Sequence, residues 1–202
     1  VTDHGADVIL LQDVRASHRK DLIENKFKCT INGNFLVHTN SSMDRRGVTT
    51  LINLRSNITI SESLDCPDEN YSILRLKKQD KEIVIANVYG PTQAENSDFF
   101  KNLKISLNRF YNLPVFIIGD LNAITDCTKP NPQLNICNKN LIGTLHIPNP
   151  KNSRLLTKWN NDGDYYDIFR NLYPNKIEYS FIGFRRQVRE QENNPDDNTL
   201  IN

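Results

Sequence analysis

Many short strands with few helices between them predict an α+β protein built as a layered sandwich. Three observations carry that expectation. Short apolar runs of strand length recur along the chain, at Val8–Leu11, Ile83–Tyr89 and Val115–Ile118. Between them lie segments of alternating apolar and polar residues. Only one long stretch, Asn96–Tyr111, carries a clear helical period. Several of the strands end in polar groups, which puts a candidate site at one edge of the packed sheets.

Size and composition narrow the class. The chain has 202 residues, enough for one domain with a substantial core. Hydrophobic residues make up 38% and charged residues 24%, so the chain is globular with a polar surface. The net charge is +1, so contact with a polyanion must come from a local patch and not from a global field. Apolar runs stay far below a membrane span, and no charged-then-apolar leader opens the sequence. The expectation is therefore an intracellular protein without a membrane partner. Cys29, Cys66, Cys127 and Cys137 form no C-x-x-C pair. Reduced structural thiols are expected, and a zinc site is not.

Taken in order, Val8–Leu11 reads as a buried strand followed by Gln12-Asp13, and Ser17–Asn25 as a short polar helix. Phe27–Thr39 alternates, with an Asn32-Gly33-Asn34 hairpin turn inside it. A loop follows over Asn40–Arg46, and then strands at Val48–Asn53 and Ile58–Ser63. Asp65–Asn70 is a turn. Tyr71–Lys77 alternates cleanly, Lys78–Lys81 turns the chain, and Ile83–Tyr89 is a buried strand stopped by Gly90-Pro91. In the helix over Asn96–Tyr111, Phe99, Phe100, Leu103, Leu107 and Phe110 share one face, which is read as core. Val115–Ile118, preceded by Pro114, is the strand expected at the centre of the fold, buried on both faces. Ala123–Asn152 is a long irregular stretch with four prolines, expected to be a surface excursion near the site. Arg154–Asn160 is a short helix carrying Trp159, and Tyr165–Arg170 and Tyr179–Ile182 are the last regular pieces.

The central strand runs into Gly119-Asp120-Leu121-Asn122. Residues two apart on an extended segment point the same way, so Asp120 and Asn122 would face one site together, a carboxylate beside an amide. The same pair also suits an ordinary turn after a strand. Asp13 is a second carboxylate at a strand end, and it would serve equally as the cap of a following helix. Tyr89 ends its strand, a common place for a packed ring with its hydroxyl in water. Arg185, Arg186 and Arg189 either flank a nucleic-acid groove or form a solvated charged loop.

The order of these pieces is more specific than any of them alone. It runs Leu10-Leu11-Gln12-Asp13, Arg46-Gly47-Val48, Asn87-Val88-Tyr89-Gly90-Pro91, Gly119-Asp120-Leu121-Asn122, Asp167-Ile168-Phe169-Arg170 and Glu178-Tyr179-Ser180-Phe181. This series resembles the endonuclease/exonuclease/phosphatase superfamily, which includes DNase I and the abasic-site endonucleases. Within it, the closest likeness is to the endonuclease domain of LINE-type non-LTR retrotransposons. The resemblance covers nearly the whole chain.

It implies a single domain over residues 1–202, a DNase I-like four-layered α/β sandwich of two mainly antiparallel sheets flanked by helices. It also implies phosphodiester hydrolysis with Mg²⁺ or Mn²⁺, double-stranded DNA as substrate, and a reverse transcriptase domain in the same polyprotein acting in the nucleus. By the resemblance Asp13 stands at the metal-ligand position, where the family has Glu. Tyr89 stands beside the scissile phosphate, Asp120 at the position that orients or deprotonates water, and Asn122 at a phosphate contact. Ser180 matches a small hydroxyl residue near the DNA. The family's leading Asn and its trailing Asp and His have no match here, so the resemblance implies a domain truncated at both ends, and these 202 residues alone are not expected to cut DNA. An abasic-site repair endonuclease, a phosphoesterase of a small substrate, and a catalytically degenerate nucleic-acid-binding domain stay open as alternatives.

Overall fold

A computed structural model describes residues 5–14, 34–41, 46–91, 98–123, 150–162, 165–168 and 172–173. They form seven strands and two α-helices. The strands are β1 (Val8–Gln12), β2 (Phe35–Asn40), β3 (Val48–Asn53), β4 (Thr59–Asp65), β5 (Tyr71–Lys78), β6 (Lys81–Tyr89) and β7 (Val115–Asp120). The helices are α1 (Phe99–Asn108) and α2 (Pro150–Asn161). A short 3-10 turn, Leu54–Ser56, joins β3 to β4.

The strands make two sheets, one in the order β1-β3-β2 and one in the order β4-β5-β6-β7. Every pairing is antiparallel except β6 with β7, which run parallel. This is the α/β sandwich expected from the strand pattern. The two sheets lie face to face through Ile52, Leu74, Leu76 and Ile85, with Val8, Leu10, Ile58, Ile60 and Ile83 packed around them. The far face of the second sheet carries Ile73, Val84, Ala86 and Val88 against Phe99, Phe100, Leu103 and Leu107 of α1 and Trp159 of α2. Edge-to-face ring contacts tie that layer together: Phe99 to Phe100 at 5.0 Å and Phe100 to Trp159 at 5.3 Å. A third apolar group, Phe35 and Leu51 with Ile9, Leu11 and Val37, lies on the other face of the first sheet.

β6 shows the period-2 rule on both of its faces. Val84, Ala86 and Val88 point to the helices, while Ile83 and Ile85 point to the first sheet. Asn87 and Tyr89 share the parity of Ile83 and Ile85. So the inter-sheet face begins apolar and turns polar toward the strand's C-terminal end. β1 follows the same plan, with Val8 and Leu10 facing the second sheet and Gln12 next at that parity. One end of the space between the sheets is dry core, and the other carries amides, hydroxyls and acids.

Three expectations need correction. Val115–Ile118 is not buried on both faces. Among the described residues β7 is the last strand of its sheet, and its burial alternates. Val115 and Ile117 pack on the helix side, whereas Phe116 and Ile118 are 37% and 45% exposed. The apolar run looked two-sided because all four residues are bulky, yet only one parity meets the helices. Second, α2 starts at Pro150, earlier than the expected Arg154, because proline suits the first turn of a helix where no N–H is needed. Third, the regular piece expected from Tyr165 starts later: Tyr165 to Asp167 have no regular structure, whereas Ile168 is helical. The helix expected at 17–25, the hairpin turn at 32–33, the excursion at 124–149 and the strand at 179–182 lie outside the described residues. So do Ser180, Arg185, Arg186 and Arg189.

Candidate active site

The polar end of the sandwich is assembled by strand register. In the second sheet Tyr89 of β6 is level with Asp120 of β7. On the other side the Tyr89 N–H donates to the Asn70 carbonyl at 2.7 Å, so Asn70 extends the same row. One step inward Ser72 is level with Asn87, and Asn87 with Ile118. Across the gap β1 delivers Gln12, whose Nε2 donates to Asn87 Oδ1 at 2.7 Å. Asp13 follows directly after β1. The register therefore brings Tyr89 and Asp120 side by side, with Asn122 two residues on. The Gln12–Asn87 bond brings the end of β1 to the same edge.

The join between Asp120 and Asn122 differs from the expected one. Strand alternation stops at Asp120, and Asn122 adopts a left-handed backbone with φ 44°. An Asx turn holds the two together instead: the Asn122 N–H donates to Asp120 Oδ1 at 2.9 Å. The Asn122 side chain turns away to β6, where Nδ2 donates to the Gly90 carbonyl at 2.8 Å. The Gly90 N–H in turn donates to the Asp120 carbonyl at 2.6 Å. Asp120 is exposed and its carboxylate is anchored through one oxygen. Asn122 is fixed between two strand ends, so it organises the turn as well as facing the edge.

Three non-glycine residues at this edge hold a left-handed backbone, Asp13 at φ 53°, Arg46 at 72° and Asn122 at 44°, as do Asn57, Glu69 and Gln79. Such conformations persist only where surrounding contacts over-determine them, and they concentrate at functional sites. For Asp13 the contacts fall on the next residue: the Val14 N–H donates to the Gly47 carbonyl at 3.1 Å, and Ser41 Oγ donates to the Val14 carbonyl at 2.5 Å. Asn40 ties the same neighbourhood to the second sheet, with Nδ2 bonded to the carbonyls of Cys66 and Tyr71, each at 2.9 Å.

Sequence reasoning missed Asn70, Asn87 and Gln12 as members of this edge. Asn87 and Gln12 stood inside the ordered motifs without a role. Their signal was parity: each is an amide at a position where the alternation calls for an inward apolar side chain. Asn70 is completely buried, and neither atom of its amide makes a hydrogen bond. Buried amides are normally paired, so an unspent one in line with Tyr89 and Asp120 marks a place prepared for another polar group.

Beside this edge, Cys66 is buried and free, in keeping with the expected reduced thiol. Burial pushes its thiol up, with the Asp68 charge adding to the rise, while hydrogen bonds from backbone N–H groups of Asp68 and Asn70 oppose it. Burial also raises the Tyr71 phenol, which bonds Ser106 Oγ at 3.0 Å under α1.

Among the described residues no three His, Cys, Asp or Glu side chains cluster as a preformed metal cage. Mg²⁺ does not ask for one. It binds through one or two carboxylates and keeps several waters, and it prefers hard oxygen donors. Asp13 and Asp120 supply carboxylate oxygens at this edge, the donor type that fits such an ion. Among the described residues no helix is long and apolar enough to cross a membrane.

An AP endonuclease from Archaeoglobus fulgidus superposes on 93% of this chain and 72% of its own, with a TM-score of 0.61 at 17% identity. The chain has the DNase I-like fold. Looser similarity extends to humanized D. rerio TDP2 bearing 14 mutations, with a TM-score of 0.46 at 16% identity over 60% of this chain. The chain spans about half, 54%, of that protein's length. ANGEL2, a 2′,3′-cyclic phosphatase, gives 0.47 at 17% identity over 72% of this chain and 48% of its own. No family model matches the sequence, and no curated protein matches it.

Proposed function

We propose that this DNase I-like chain is a divalent-metal-dependent DNA endonuclease domain of a non-LTR retrotransposon polyprotein. It would nick target DNA in the nucleus so that a reverse transcriptase in the same polyprotein can prime there. The observation that carries the nuclease reading is the strand-register row of Tyr89 and Asp120, with Asn122 locked beside Asp120 and Asp13 delivered to the same edge by β1. The retrotransposon part rests on the motif order, above all its late segment from Asp167 to Phe181.

Each group has a task in phosphodiester hydrolysis. Asp120 stands at the surface with one oxygen anchored, so its carboxylate can accept a proton from an attacking water. The Asx turn keeps it from rotating away. Tyr89, level with it, offers a phenol hydroxyl to a phosphate oxygen, where negative charge grows in the transition state. Asp13 and Asp120 would hold a divalent ion, which would neutralise the developing charge on the phosphate when bound.

The test is plasmid nicking by the full-length protein with Mg²⁺ or Mn²⁺. Asp120→Asn should slow cleavage roughly 10²–10⁴-fold, the usual worth of a positioned base. Asp13→Ala should abolish metal-dependent nicking while the protein stays folded. Unchanged nicking in both variants would overturn the reading. Reverse transcriptase sequence in the same open reading frame would support the retrotransposon role. The similarity to an archaeal AP endonuclease favours one second reading, abasic-site repair. Strong preference for a duplex with an abasic site over intact plasmid would favour it.

A further inference from the structure

We propose that Gln12 and Asn87 are a positioning pair that sets the place of Asp13, which rests on the reading of Asp13 as a metal ligand. Asn87 is 1% exposed, and its side chain is fully used. Its Oδ1 accepts from Gln12 Nε2 at 2.7 Å, a contact between residues 75 apart in sequence and on different sheets. Its Nδ2 donates to the Thr49 carbonyl at 3.0 Å and lies 3.3 Å from both the Leu11 carbonyl and Thr50 Oγ1. Two hydrogens thus serve three acceptors, on β1 and β3 together. One amide of the second sheet grips two strands of the first, β1 and β3, at the boundary between dry core and polar edge.

The residue type follows from these partners. Only a side chain with both an acceptor and two donors can satisfy Gln12 and the backbone carbonyls at once. An aspartate there would meet the Leu11 and Thr49 carbonyls with acceptors alone. A leucine would leave the Gln12 amide without its partner at the edge of the interior, where missing partners are most costly.

Asp13 is the residue between this pin and a second one. Gln12, before it, is tied to Asn87. Val14, after it, is tied through its N–H to Gly47 and through its carbonyl to Ser41. Asp13 holds a left-handed φ of 53° in between. With both neighbours fixed the carboxylate has one backbone placement. With the Gln12 bond cut, the end of β1 keeps its pairing with Val48 but loses its tie to the second sheet, so the carboxylate can shift relative to Tyr89 and Asp120. Asn87 also shares a face with Tyr89, two residues on, so one side chain couples the positions of the candidate ligand and the candidate phosphate donor.

Mn²⁺ titration of the full-length protein, followed by calorimetry and by the metal-induced rise in Tm, tests this directly. Gln12→Met keeps the length and apolar stem but removes the amide bond. It should weaken Mn²⁺ binding about tenfold, as loss of an orienting partner does for metal ligands, with KM for DNA unchanged. Gln12→Asn, one methylene too short to reach, should act in the same direction should the first variant fold poorly. Leu74→Ala loosens the same inter-sheet core and should lower Tm without moving the Mn²⁺ Kd. An unchanged Mn²⁺ Kd in the folded Gln12 variants, or an equal loss in Leu74→Ala, would overturn the positioning role. Asp13→Asn separates the two claims. If it leaves Mn²⁺ binding intact, the ligand reading falls and takes the pair with it. If it abolishes binding while the Gln12 variants bind normally, only the pair falls.

Discussion

At Gly119 the backbone has φ 143°, and a Cβ there would collide with the Val88 carbonyl oxygen on the paired strand. The obstacle is backbone, so no side chain can swing aside. Gly119→Ala should lower stability by roughly 3 kcal/mol, within the range for strained positions, as measured by chemical denaturation. Cys66 and Tyr71 lead to a pH dependence. Burial raises both groups above their ordinary values of 9.0 and 10.0. The folded state therefore keeps protons that the unfolded chain releases. Their contribution is complete below pH 9.0 and is lost as the pH climbs above it. Tm should fall on the alkaline side, and Cys66→Ala with Tyr71→Phe should flatten that fall in a melting series across pH. At this scale the sequence was readable where chemistry is local: Gly-Asp-Leu-Asn announced a polar strand end. Its geometry was not readable, because the left-handed turn at Asn122 depends on the Gly90 carbonyl, contributed 32 residues earlier. Asn70 escaped notice because its meaning lies in which strand stands beside it.

Elements were more legible. The helical stripe of Phe99, Phe100, Leu103 and Leu107 is the buried face of α1, as its spacing required. Leu103 is wholly buried between the second sheet and α2, whereas Ile105 on the same helix is 60% exposed. Leu103→Ala should therefore cost about 2–5 kcal/mol and Ile105→Ala within about 0.5 kcal/mol, compared by denaturant midpoints at equal slope. Strand boundaries also matched the alternation closely, since burial on one face imposes it. β7 was harder. A run of bulky residues does not state how many of its faces meet a neighbour, and its parallel pairing with β6 is a property of the crossover through α1, invisible in the run itself.

For the whole molecule, the layered sandwich followed from counting strands against helices, and the archaeal AP endonuclease bears the same fold. Charge acts at this scale too. With a net charge of +1, any affinity for DNA has to be concentrated in patches. Replacing Arg185, Arg186 and Arg189 together by Ala should lower the salt slope of DNA binding by about one unit for each phosphate that an arginine no longer neutralises. Equal slopes for both proteins in binding titrations at several salt concentrations would assign these arginines to solvent.

The two sheets are drawn from consecutive lengths of chain, β1 to β3 before the 3-10 turn at Leu54–Ser56 and β4 to β7 after it. Among the described residues no strand crosses from one sheet to the other. On the ribosome the three described strands of the first sheet therefore emerge before any described strand of its partner. Translation at roughly 5–20 residues per second leaves the nascent sheet waiting several seconds for β7. Through that interval Val8, Leu10 and Ile52 face solvent, and Gln12 lacks the amide it will later meet. The newborn β1 to β3 thus carry an uncovered apolar face, of the kind that chaperones hold, until β4 to β7 arrive.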